Sequence, residues 1–167
     1  FGETTVVFTA AVAVMLLLGG SSRKSIVETI EKEDPIALVG AKMLIPYILL
    51  FALYVQFHGD FGPGGGFQAG VMFAAAFILH GMVTNLKATQ AAASIRAVGY
   101  LIPFGVLLYG GTGFLCMALG GQFLEYNVLS HDPVHGQHYG ILLVEAGVGI
   151  TVFSAILMLY YQFALRG

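Results

Sequence analysis

Apolar residues in this chain come in runs longer than any amphipathic helix or strand requires, separated by short polar or glycine-rich breaks. The first run covers 5–18 and closes at Gly19-Gly20 and Ser21-Ser22-Arg23-Lys24. The second, 36–57, is interrupted only by Lys42 and Pro46. The third, 67–83, is rich in small residues, among them Ala69, Gly70, Ala74, Ala75 and Ala76. Small residues let membrane helices pack closely where no hydrophobic drive acts between them. The fourth, 97–119, carries Pro103 and Gly110-Gly111-Thr112-Gly113, and the fifth, 139–165, carries Glu145. A transmembrane helix needs about 20 apolar residues, so these runs predict an all-α, polytopic bundle of about five spans. Period-two alternation is absent, which argues against a membrane β-barrel. The connector 25–34 is the most charged stretch, and its Ile26, Val27 and Ile30 suit a short interfacial helix. The expected organisation is a first span over 1–20, a charged cytoplasmic connector over 21–35 and a four-helix membrane domain over 36–167.

Composition excludes a water-soluble domain. Of the 167 residues 57% are hydrophobic and 10% charged, with mean hydropathy +0.85. A soluble domain carries about 25% charged residues. The spans nearly exhaust the chain, leaving no room for a soluble catalytic domain, so an enzyme is not expected. The net charge of −2 and the scattered basic residues give no nucleic-acid surface. Cys116 is the single cysteine and lies in an apolar run, so the chain makes no internal disulfide or thiolate cluster. It reads as a small buried side chain.

Charge placement orients the bundle. Arg23, Lys24 and Lys32 follow the first span, Lys87 and Arg96 follow the third, and Arg166 lies at the C-terminus. The connections after the second and fourth spans hold no lysine or arginine. The positive-inside rule then puts Arg166 and the basic loops in the cytoplasm, with Phe1 and the two other loops outside. Phe1–Glu3 lacks the basic region of a signal peptide, so the biological polypeptide is expected to extend upstream of Phe1.

Between the second and third spans lies His58-Gly59-Asp60-Phe61-Gly62-Pro63-Gly64-Gly65-Gly66-Phe67-Gln68-Ala69-Gly70. Pro63 stops helix continuation, and three successive glycines permit positive φ or close backbone contact. A phosphate-binding loop would follow a strand and carry a lysine; neither holds here, and a tight turn between packed helices is the plainer reading. The stretch 42–83, centred on this segment, resembles the MnhB/MrpB family, the B subunits of Mrp-type multisubunit sodium/proton antiporters. Related subunits occur in membrane-bound hydrogenases and sulfur reductases. The family's Pro-Gly-Gly-Gly-Phe turn is matched by Pro63, Gly64, Gly65, Gly66 and Phe67, as a structural turn. The segment Gly140-Ile141-Leu142-Leu143-Val144-Glu145-Ala146-Gly147-Val148-Gly149 is similar to the family's last helix, including its membrane glutamate. The first 20 or so residues resemble the C-terminal end of an adjacent module of the A subunit.

The resemblance implies an auxiliary membrane subunit, in the cell membrane, of a sodium/proton antiporter driven by the proton gradient. Its partners would be other antiporter subunits and the bilayer, with sodium and protons as the transported ions and no cofactor. A homologous subunit of a redox-driven ion pump and a purely structural scaffold are the alternatives.

Three residues are candidates for an ion pathway. Glu145 lies some 8–10 Å into a helix starting near Tyr139, and a carboxylate at such depth is costly and by default functional. Reaching the interface, or binding a neighbour for assembly, is the plainer account. Lys42 could pair with a partner's acid, or could snorkel to the headgroups. His80 could relay protons, or could bond a backbone carbonyl. His131, His135 and His138 share helical spacing, but Pro133 and Gly136 argue against a helix there and Asp132-Pro133 reads as a turn. A structural or incidental role is expected for them, not zinc. Thr112, Thr151 and Ser154 are expected to bond their own helix backbone.

Overall fold

A computed structural model describes residues 35–59, 62–130 and 132–165. The first span, the connector 25–34, Phe1, His131 and Arg166 lie outside the described residues. Within them all regular structure is helical: α1 Pro35–His58, α2 Gly66–Val83, α3 Leu86–Ala92, α4 Ile95–Ala118, a 3-10 turn Tyr126–Leu129, and α5 Pro133–Leu165. Four of these, α1, α2, α4 and α5, are long and apolar enough to cross a membrane. Pro46 and Pro103 stay inside α1 and α4; membrane helices tolerate interior prolines because neighbours and local adjustment satisfy the freed carbonyl.

The helix α5 is the spine. It packs most extensively on α4, then on α2, while α1 packs on α2 and meets α5 only near one end. Both main seams are made of glycine. A Cβ at Gly70 would lie 2.6 Å from the Gly149 carbonyl oxygen, and one at Gly147 would lie 2.8 Å from the Gly105 carbonyl oxygen. The backbones of α2 and α4 therefore touch α5 directly, on two sides of it, as small-residue packing in lipid requires. Outward positions stay apolar: Val39, Met43, Tyr47, Leu50, Phe51 and Tyr54 are exposed along α1 alone. A side-chain core forms toward the C-terminal end of α5, where Val98, Leu157 and Tyr161 are buried against Phe77, Ile78 and Phe153.

Two elements depart from the expectation. The connection after α2 is not all loop. Asn85 caps α3 by accepting from Ala88 N at 2.7 Å, and Ser94 caps α4 by accepting from Ala97 N at 3.3 Å. The last span also begins six residues before Tyr139, at Pro133. Asp132-Pro133, read above as a turn, opens the helix instead. Asp132 Oδ1 accepts from Val134 N at 3.1 Å and its carbonyl accepts from Gly136 N at 3.0 Å. A capping aspartate followed by proline in the first helical position is a favoured helix start. Gly136 is tolerated because the 3-10 turn needs the space, a Cβ there meeting the Tyr126 carbonyl oxygen at 2.6 Å.

Candidate functional site

The turn between α1 and α2 is built from backbone. Gly62 N donates to the His58 carbonyl at 3.1 Å, and Gly65 N donates to the Val55 carbonyl at 3.1 Å, folding the loop back onto the last turn of α1. The His58 ring stacks on Tyr54 with centroids 4.9 Å apart. Gly65 has φ +119 and ψ 175, a conformation L side chains rarely adopt, and its carbonyl accepts from Ala69 N at 3.1 Å.

This turn closes on Glu145. A Cβ at Gly59 would lie 2.5 and 2.6 Å from the two carboxylate oxygens, and one at Gly65 would lie 3.1 Å from Oε1. A Cβ at Gly66 would overlap the Glu145 carbonyl oxygen and lie 2.9 Å from Gly149 N. The half-buried carboxylate thus rests against bare backbone, and the glycines make the room it occupies. Two features that the sequence presents 80 residues apart form one site.

The site is recessed. Glu145 lies about 18 Å along α5 from Pro133, at 1.5 Å per residue, roughly twice the depth expected from a start at Tyr139. The last turn of α1 and first turn of α2 end at its level. The end of α4, the 3-10 turn and the start of α5 rise beyond that level as one packed unit. There Phe123 covers Gly113, and Tyr126 covers Gly140.

His80 and Lys42 do not join this site. His80 is in the last turn of α2, about 20 Å along that helix from Gly66. Its Nδ1 lies 2.8 Å from Thr89 Oγ1, a side-chain hydroxyl and not the backbone carbonyl expected. Thr84 Oγ1 donates to the His80 carbonyl at 2.6 Å. Lys42 is exposed on α1, about 25 Å from Gly59 along the helix. The hydroxyls of Thr112 and Thr151 donate to the carbonyls four residues back, both at 2.8 Å, as expected. Ser154 does not follow them: its Oγ is buried with no partner among the described residues. His135 Nδ1 pairs with Asp132 Oδ2 at 2.7 Å on the exposed start of α5. Among the described residues no three histidine, cysteine or acidic side chains could hold a metal ion together. Cys116 is buried, as expected.

Residues 36–158 match the family described as a domain related to the MnhB subunit of Na+/H+ antiporter. The chain belongs to this MnhB-related family. Relatives named "Putative antiporter subunit mnhB2" in Staphylococcus aureus strains Newman and JH1 are each 33% identical over 136 residues, covering 75% of this chain and 96% of theirs. The matched region runs from the first turn of α1 to the last turns of α5 and so holds both the glycine turn and Glu145. With four apolar helices of spanning length, this MnhB-related chain is a multi-pass membrane protein.

Sequence reasoning found Glu145, the glycine turn and the family, but not that the turn and the glutamate touch. It also passed over Gln56, whose Oε1 lies against Gly149, where a Cβ would approach it to 2.7 Å. Gln56 sits two residues from the quoted motif, and a polar amide in an apolar run is a usable signal.

Proposed function

We propose that this chain, an auxiliary membrane subunit of a multisubunit Na+/H+ antiporter, lines the ion-translocation interface with Glu145. The observation that carries the reading is the seating of the Glu145 carboxylate on the glycine backbone of the α1–α2 turn. A membrane carboxylate is expensive and is retained where ions or protons are handled. Side chains at Gly59 or Gly65 would occupy the carboxylate's place, so the turn keeps space around a charged group. The chain acts as a transporter component rather than an enzyme, and its partners are the other antiporter subunits. Sodium and protons are the transported ions.

The test is exchange in inverted vesicles. Glu145→Gln keeps the shape and removes the charge, so the complex assembles on a native gel while sodium/proton exchange falls or changes its pH profile. Full activity at every pH in an intact complex removes Glu145 from the path.

For orientation, the reading puts the α1–α2 turn and the 3-10 turn outside and α3, with exposed Lys87, in the cytoplasm. Gln122 and Ala91 are exposed, whereas Thr89 is buried. Single cysteines at Gln122 and Ala91, in a Cys116→Ala background, label from opposite faces of intact cells, Gln122 from outside. Labelling of both from one face rejects the topology.

A further inference from the structure

The helices α1 and α5 cross antiparallel, and two close approaches fix their register. Glu145 of α5 lies on Gly59, the residue just past the end of α1, and Gln56 of α1 lies on Gly149 of α5. Each polar side chain reaches across onto a glycine of the facing segment. The two crossings are one helical turn apart, about 5 Å along the axis. The amide Nε2 of Gln56 is buried and makes no hydrogen bond to any described residue. A buried donor without an acceptor is costly, and native structures rarely keep one without a role or an unseen water. Beside it lies an open, apolar groove of about 390 Å³ whose wall includes Gln56, Ala146, Gly149, Phe73, Phe77 and Phe153. On α5 its wall residues Ala146 and Gly149 lie next to and one turn from Glu145, which is not itself part of the wall. A buried water needs two to four polar partners, and Gln56 Nε2 and the Glu145 carboxylate, one turn apart, can supply two.

Resting on the reading of Glu145 as a path residue, we infer that Gln56 is a positioning residue that holds a water against the Glu145 carboxylate. The water accepts from Gln56 Nε2 and donates an O–H to a carboxylate oxygen, which satisfies the amide and gives the carboxylate a proton-exchanging neighbour. No bond is made or broken by Gln56 itself. Among the described residues, the other titratable group at the turn is His58 of α1, whose ring lies against Gly62; Tyr109 of α4 packs its backbone on Gly147, on the other side of α5. The adjoining first turn of α2 has none.

Gln56→Met and Gln56→Leu keep the volume and remove the amide. In the whole complex both assemble, and the pH of half-maximal exchange rises by about 0.5–1 unit. That is the three- to tenfold change in proton affinity that one hydrogen bond to a carboxylate is worth. His58→Gln leaves the pH profile in place, which separates the effect from that histidine. Infrared difference spectra of the purified complex give a second readout. The Glu145 carboxyl stretch, assigned by its loss in Glu145→Gln, shifts in Gln56→Met. An unmoved band overturns the inference, and so does loss of assembly in both Gln56 variants, which marks Gln56 as a packing residue. The readouts separate the two ideas. Full exchange in Glu145→Gln removes the path reading, whereas an unmoved band with exchange lost in Glu145→Gln removes only the role of Gln56.

Discussion

The two ends of the bundle handle polarity in opposite ways. At the α3 end polar groups are matched to one another. His80 Nδ1 meets Thr89 Oγ1 at 2.8 Å, and Tyr161 Oη donates to the Ala93 carbonyl at 2.8 Å, which fastens the last turn of α3 to α5. Thr89 and Tyr161 are fully buried. At the turn end a carboxylate faces glycine backbone, and the space around it comes from side chains that are missing. A matched polar cluster fixes geometry and resists change. A carboxylate seated on glycine backbone occupies a gap that only those glycines leave open. The same chemistry class, a titratable side chain in a membrane helix, is a fastener at one end and, in the function proposed for Glu145, a working group at the other.

The largest effect is expected where the turn meets α5. Gly66→Val drives a branched side chain into the Glu145 carbonyl, and Gly65→Val adds strain at φ +119 as well as an approach to the carboxylate. Both are expected to abolish assembly on native gels, Gly66→Val because its side chain meets backbone that cannot give way, and Gly65→Val because a β-branched residue is strained at φ +119. Overpacking alone costs about 1–3 kcal/mol where side chains can shift. If Gly65→Val assembles normally yet loses transport, the turn acts directly on ions, and the contrast with the α3 end sharpens further.

A middle effect tests the fastener. Thr89→Val removes the nearer partner of the part-buried His80 Nδ1 and leaves it only Thr84 Oγ1 at 3.5 Å, at a cost of up to about 1–3 kcal/mol. The expected outcome is faster proteolysis near α3 and a lower melting temperature in detergent, with the pH profile of exchange in place. A profile shift as large as that of Glu145→Gln would break the comparison, because His80 would then belong to the proton path.

Much of this architecture is legible in the sequence for one physical reason. In lipid the only cheap backbone is a helix, so apolar length alone locates α1, α2 and α4 closely and finds α5, though not its first turns. The errors came where the signal is local and polar. Asp132-Pro133 carries a turn signal and a helix-start signal in the same two residues, and the second wins because Val134 and Gly136 supply the donors. The seven residues of α3 are too short to show a period, and their caps, Asn85 and Ser94, look like loop residues until the hydrogen bonds are seen. The glycine turn and Glu145 were each legible, but their contact was not. It depends on the register between α2 and α5, set by Gly66, Gly70 and Gly149 touching across a seam that no single stretch of sequence contains.

The smallest effect concerns the rim that stands above the site. Asp132 is exposed, and its carboxyl is held below the usual carboxylate range by the His135 side chain first and by Val134 N second. A carboxyl depressed in the folded state adds stability above its unfolded value, near 3.9, and that contribution fades as pH falls through the folded value. The start of α5 should therefore keep its amide protection at neutral pH and lose it only in acid, below about pH 4. Asp132→Ala removes the cap at every pH, so amides 134–136 lose protection in hydrogen exchange even at neutrality. Asp132→Asn, which caps about as well, keeps most of it and shows no acid step. Sodium/proton exchange should be unchanged in both, because the rim lies about 18 Å along α5 from Glu145. If Asp132→Ala instead lowers exchange while the rest of α5 stays protected, the rim shapes access to the recessed carboxylate. The working end would then extend from the glycine turn to the first residues of α5.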